Sequence, residues 1–137
     1  MTNLLRHTLL LTALLASQSQ ADIVMVVGTQ SPVAALSREQ VLAIYQGRMK
    51  TFASGGIPQP LLLAGPSKAE FFERVLGKSD DEMRAHWARL IFTGKGSAPR
   101  ELSEVSELKR LLAANPDGIA YLPRSAVDGS LKIVYTP

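Results

Sequence analysis

Three times in residues 22–137 a serine is followed three residues later by Gln or Glu: Ser37-Arg-Glu-Gln40, Ser67-Lys-Ala-Glu70 and Ser79-Asp-Asp-Glu82. This is the spacing of a capping box. The serine hydroxyl accepts from a backbone N–H one turn into the helix, and the Gln or Glu side chain reaches back to the serine N–H. Each cap is worth about 0.5–2 kcal/mol, so three of them dictate where three helices start. Apolar residues follow each box at helical spacing: Val41, Leu42, Ile44 and Tyr45; Phe71, Phe72, Val75 and Leu76; Met83, Trp87, Leu90 and Ile91. Gly47, Gly77 and Gly94 stand where these helices must stop. A fourth periodic stretch, Glu104 to Ala114, carries Val105, Leu108, Leu111 and Leu112.

Between the helices lie short apolar runs with strand character. Asp22-Ile-Val-Met-Val-Val27 is nearly continuous and rich in β-branched residues, as a buried central strand requires. Pro60-Leu-Leu-Leu-Ala64, Ile119-Ala-Tyr-Leu122 and Leu131-Lys-Ile-Val-Tyr135 are the others, with turns at Asn115-Pro-Asp-Gly118 and Asp128-Gly129. The order β-α-β-α-α-α-β-β predicts an α/β domain: a mixed, mostly parallel sheet flanked by helices.

The first 21 residues read as a secretory signal. Arg6 supplies a positive charge, Leu9 to Ala16 form a short apolar core, and Ser19 and Ala21 are the small residues before cleavage at Asp22. The apolar core is too short to span a bilayer as a helix. Residues 22–137 are then one exported domain. Losing Arg6 takes one positive charge from a net of only +3. With few aromatics and no run of Lys or Arg, nucleic acid is a poor partner. The chain has no cysteine, which excludes disulfides and thiolate chemistry. One of its two histidines falls in the signal segment, leaving His86. A histidine metal cluster or a serine–histidine triad has too few parts. Asp80, Asp81 and Glu82 belong to a helix first turn, where the dipole accounts for them. No catalytic pair is visible, no cofactor is called for, and the chain is expected not to be an enzyme.

Three stretches are candidates for binding a small anion. Thr29 and Ser31 follow the first strand, where α/β proteins often place ligand groups; a plain turn would use the same residues. Gly65, Pro66, Ser67 and Lys68 open a helix, and exposed N–H groups at its positive end suit an anion; a simple cap is the alternative. Thr93-Gly94-Lys95-Gly96-Ser97 follows the Trp87 helix as a glycine-rich basic loop, with Arg100 beyond it. It lacks the first glycine of a Walker A loop, since Arg89 stands there.

Four pieces occur in a fixed order: a strand followed by S-x-x-Q-V-x-x-I-Y-x-G, a strand with a capped helix, W-A-R-L-I-F-T-G-K-G, and N-P-D-G-I-A-Y-L. Together they resemble the phosphate-type substrate-binding proteins of ABC transporters, over nearly all of residues 22–137. Ile44, Tyr45 and Gly47 resemble the family's I-F-x-G segment. Pro116, Gly118, Ile119 and Tyr121 resemble its P-G-x-I-G-Y segment. The resemblance implies a type II periplasmic-binding-protein fold, phosphate or a similar oxyanion as ligand, a periplasmic location, and an ABC transporter permease or a periplasmic sensor as partner. Full-length members have two lobes and more than twice this length, so the chain resembles their short, single-lobe relatives. The family's Arg and its Ser-Gly-Thr run after the second strand are replaced here by Ala64-Gly65-Pro66-Ser67-Lys68.

A helix N-terminus supplies up to about 2 kcal/mol and a charge-assisted hydrogen bond about 1.5–3 kcal/mol. Micromolar affinity needs about 8 kcal/mol. One open lobe is therefore expected to hold an anion weakly, nearer millimolar. The expected site is half of a clamp that gathers Thr29, Ser31, Gly65, Ser67, Lys68, Thr93 and Lys95. The second reading is a protein-interaction or sensor-accessory module, with His86, Arg89 and Arg100 facing a partner.

Overall fold

The computed structural model describes residues 22–137; the expected signal segment and its cleavage site fall outside them. The order of elements is β1 (Ile23–Gly28), α1 (Arg38–Tyr45), β2 (Gln59–Leu63), α2 (Pro66–Glu70), a π-helix (Phe71–Leu76) that continues α2, α3 (Asp80–Phe92), β3 (Arg100–Leu102), α4 (Val105–Ala114), β4 (Gly118–Pro123), a 3-10 turn (Arg124–Ala126) and β5 (Leu131–Tyr135).

The five strands form one sheet in the order β3-β2-β4-β1-β5. β2 is parallel to β3 and to β4. β1 is antiparallel to both its neighbours, β4 and β5. Four strands thus point one way and β1 runs against them. The mixed α/β class read from the sequence is the one observed. The strand absent from the expected order is β3, whose three residues are too few to show a period.

Every residue of β1 is buried, as an uninterrupted apolar run at the middle of a sheet should be. Its last residue has to be glycine. A Cβ on Gly28 would stand 2.3 Å from the Leu112 carbonyl oxygen, so α4 can lie across β1 only where the strand has no side chain.

Two of the three capping boxes form. The Ser37 hydroxyl accepts from Gln40 N–H at 3.1 Å while the Gln40 side chain accepts from Ser37 N–H at 2.8 Å, and Ser79 and Glu82 make the same pair. The third does not. Pro66 is itself the first helical residue of α2, which makes Gly65 the N-cap and carries Ser67 inside the helix. Proline is favoured at this position because its φ is preset and its missing N–H is no loss there. The serine–glutamate spacing therefore points to a helix start two residues too late.

The stripe read along α3 also fades toward its end. Met83 and Trp87 are buried and Leu90 is partly so, but Ile91 and Phe92 are 58% and 93% exposed. Trp87 is anchored by donation from its indole N–H to the Tyr45 carbonyl at 2.8 Å.

Aromatic rings fill the layer between the sheet and α1 and the π-helix. Phe71 stacks on Tyr121 at 4.1 Å between ring centroids and meets Tyr45 edge-on at 4.8 Å. Such pairs are worth about 0.5–1.5 kcal/mol beyond the area they bury. The two tyrosine hydroxyls are spent on the seam between β2 and β4, whose parallel register covers only Gln59↔Gly118 and Pro60↔Ile119. Past that point Tyr45 Oη donates to the Leu61 carbonyl at 2.8 Å, and Tyr121 Oη both accepts from Leu63 N–H and donates to Leu63 C=O. Backbone groups that would otherwise be buried without partners are satisfied by side chains.

Candidate anion site at the carboxyl end of the sheet

Ligands of open α/β sheets bind outside the carboxyl ends of the strands. Here that end is formed by the segments leaving β2, β3 and β4, joined by the start of β1, because Ile23 pairs with Pro123. β2 leads through Ala64 into Gly65. Gly65 has φ 109° and ψ −167°, a combination essentially confined to glycine. This turn sets Pro66 at the first helical position, and no side chain caps the helix start. The first N–H groups of a helix have no partner within it. Proline has none to offer, and Lys68 N–H turns back to the Gly65 carbonyl at 3.1 Å. The Ser67 N–H and the half-buried Ser67 side chain are left at the positive end of a helical run that continues through Leu76.

Lys68 is adjacent but engaged. Its ammonium lies 2.5 Å from Glu101 Oε1 and 3.8 Å from Asp80 Oδ1, and 5.7 Å from the centre of the Phe72 ring. The side chain is 23% exposed, so this ion pair is shielded in part from water. Two further cations at the same end escaped the sequence reading. Arg74 of the π-helix and Arg124, just past β4, line a hollow of about 130 Å³ with Asp22 and Thr136. Neither arginine forms a salt bridge among the described residues. Arg124 directly follows a strand, and that was the available signal. Arg74 gave none, because it looks like the solvated face of a helix.

The other expected contacts lie elsewhere. β1 runs against the parallel strands, so Thr29 and Ser31 emerge at their amino ends, where Gly28 pairs with Leu131. Ser31 is buried and committed to its own turn. Its hydroxyl accepts from Val33 N–H at 3.2 Å, its N–H donates to the Gly28 carbonyl at 3.0 Å, and its carbonyl accepts from the Lys132 ammonium.

Thr93 and Lys95 are displaced by helix length. α3 begins at Asp80, beside Lys68, and its 13 residues carry the chain about 20 Å away at 1.5 Å per residue. There the Thr93 hydroxyl donates to the Arg89 carbonyl at 2.7 Å, and the Lys95 carbonyl accepts from the Lys50 ammonium at 3.2 Å. The expected clamp of seven residues does not form, because its two corners occupy opposite ends of the sheet. Gly65, Ser67 and Lys68 are the members that remain together. His86, assigned to a partner-facing surface, instead places Nε2 2.7 Å from the Gln46 carbonyl and is half-buried.

No protein-family model matches the chain, and no curated protein matches it. Solved structures do. An ABC-type phosphate transport receptor from Vibrio cholerae superposes with a TM-score of 0.64 at 19% identity, over 82% of this chain and 45% of that one. A substrate-binding protein of a phosphate ABC transporter from Clostridium perfringens, solved with bound phosphate, gives 0.64 and 19%, over 82% and 44%. PstS from Borrelia burgdorferi gives 0.59 and 9%, over 82% and 46%. The chain thus has the fold of these binding proteins and spans less than half their length.

Proposed function

We propose that the chain is a periplasmic solute-binding module for phosphate or a similar small oxyanion, working as a component of phosphate ABC transport with a permease or sensor as partner. The carrying observation is the uncapped helix start at Gly65–Ser67, placed at the carboxyl end of the sheet in a fold shared with phosphate-binding proteins. Ser67 contributes an N–H and a hydroxyl, and the helix dipole favours negative charge. Arg74 and Arg124 add positive potential at the same end. The role proposed is binding and not catalysis. It includes removal of the signal segment; among the described residues no helix is long and apolar enough to cross a membrane.

A single lobe leaves the anion wet on one side, so the dissociation constant should be about millimolar. Titration calorimetry and thermal shift with phosphate, sulfate and chloride test the reading. Phosphate should raise the melting temperature, and Ser67→Pro should abolish that rise by removing the N–H, since a first-turn proline is compatible with the helix. A chloride effect equal to that of phosphate, or a submicromolar constant for the monomer, contradicts the half-site.

The Lys68–Glu101 ion pair favours a second reading: a periplasmic protein-interaction or sensor-accessory module that has lost tight anion binding. In that case replacing Ser67 and Lys68 together leaves every anion response unchanged.

A further inference from the structure

A second hollow, larger than the one beside Arg74 and Arg124, is at the other end of the molecule. It has a volume of about 540 Å³ and opens between the amino ends of β2, β3 and β4, roofed by the loops 47–58 and 97–100 and floored by the end of α4. This size is within the range of small-molecule sites. Its walls are mainly apolar, with Met49, Ile57, Pro60 and Leu111 among them, and Ile57 is 62% exposed within it. The charged residues that line it are Lys50 and Arg100, and no Asp or Glu does. Lys50 donates only to a backbone carbonyl, that of Lys95. Glu107 stands 3.7 Å from Arg100 but equally 3.7 Å from Arg110, so one carboxylate is shared by two guanidiniums.

We propose that this hollow binds an amphipathic organic anion: a carboxylate carrying an apolar chain. The apolar walls take the chain, and Lys50 and Arg100 take the head group. Charge complementarity selects the class. A neutral apolar ligand would forgo both cations, which stand exposed at the rim, and an inorganic anion would leave the apolar walls in water. Nothing in this depends on the oxyanion site, which is at the opposite end of the sheet.

Sodium decanoate, held below its micelle concentration, is the probe. Calorimetry on the full protein should give one saturable site. Decanoate should bind about tenfold more tightly than decanol or decyltrimethylammonium, and the double variant K50Q/R100Q should bring the three ligands together. Methyl NMR on the unaltered protein is a second measurement, independent of how the variant folds: the Met49 methyl signal should move with decanoate and stay still with phosphate. Equal binding of the three amphiphiles, uptake only above the micelle concentration, an unmoved Met49 signal, or concentration-dependent dimerisation that closes the hollow would each overturn the proposal.

Discussion

Tyr121 Oη holds both backbone groups of Leu63 at once, accepting from its N–H at 2.9 Å and donating to its carbonyl at 2.6 Å. A side chain from β4 thereby does for β2 what a strand neighbour does elsewhere in the sheet. Tyr121 is fully buried, so no water can take over if the hydroxyl is removed. Tyr121→Phe keeps the ring stacked on Phe71 and strips two partners from Leu63. Each buried group left unsatisfied costs about 1–3 kcal/mol, and the variant, with two such groups, should lose about 2–6 kcal/mol in urea denaturation. Tyr45→Phe, which deprives mainly the Leu61 carbonyl, should lose less. Equal losses would show that the seam is held by the rings and not by the hydroxyls.

The same two hydroxyls make the fold sensitive to alkali. Burial pushes the Tyr45 phenol well above the usual tyrosine value, with the neighbouring Tyr121 adding to the effect and the Leu61 hydrogen bond opposing it. Burial raises Tyr121 as well, against its hydrogen bond to Leu63. In both cases the folded protein keeps the proton longer than the unfolded chain does. This stabilisation is fully present below about pH 10, the ordinary tyrosine value, and is lost as pH rises beyond it toward the folded values. Melting temperature should hold to about pH 10 and then fall, with two of the three tyrosinates appearing only together with unfolding. Titration of both tyrosines in the intact fold would contradict their buried setting.

The three serines of the capping boxes now separate into two kinds. Ser37 and Ser79 hold their helices by reciprocal bonds, and either one changed to Ala should cost about 0.5–2 kcal/mol. Ser67→Ala should cost much less, because Gly65 is the cap and the Ser67 hydroxyl holds no helix end. Chemical denaturation of the three variants side by side measures this. A loss at Ser67 matching the loss at Ser79 would restore it as a structural cap and weaken its case as a ligand group.

Local signals were legible in the sequence, and long-range ones were not. The reciprocal side-chain bonds at Ser37 and Ser79 involve residues three apart, so their spacing is written in the chain. The burial of β1 and the turn at Pro116–Gly118 are local in the same sense. The direction of β1 is not: it depends on β4 and β5, about a hundred residues later. That direction decides which end of the sheet Thr29 and Ser31 occupy. The separation of Lys68 from Lys95 was within reach, since a helix of α3's length cannot return to where it began. At Ser67 a local signal misled, because Pro66 fits the first helical position and overrides the serine–glutamate spacing. Neither Tyr121–Leu63 nor the Arg74–Arg124 pairing across one hollow has any local signature.

Gly65 offers the sharpest separation of fold from site. Its φ of 109° with ψ of −167° is a region that costs a residue with a side chain about 1–3 kcal/mol. The space around it is open, with nothing within 4 Å of an added Cβ, so Gly65→Ala brings backbone strain without a clash. The strain can be relieved by rotating the turn, which redirects the Ser67 N–H, while the helix behind it stays pinned by Phe71, Phe72 and Val75 in the core. Gly65→Ala should therefore fold with a loss of about 1–3 kcal/mol yet give no thermal shift with phosphate. Gly129→Ala is the control: its surroundings are equally open, and it sits before β5, remote from the Gly65 turn in the sequence. It should keep the full phosphate response. If Gly65→Ala responds to phosphate as the unaltered protein does, the anion is bound somewhere other than this helix start.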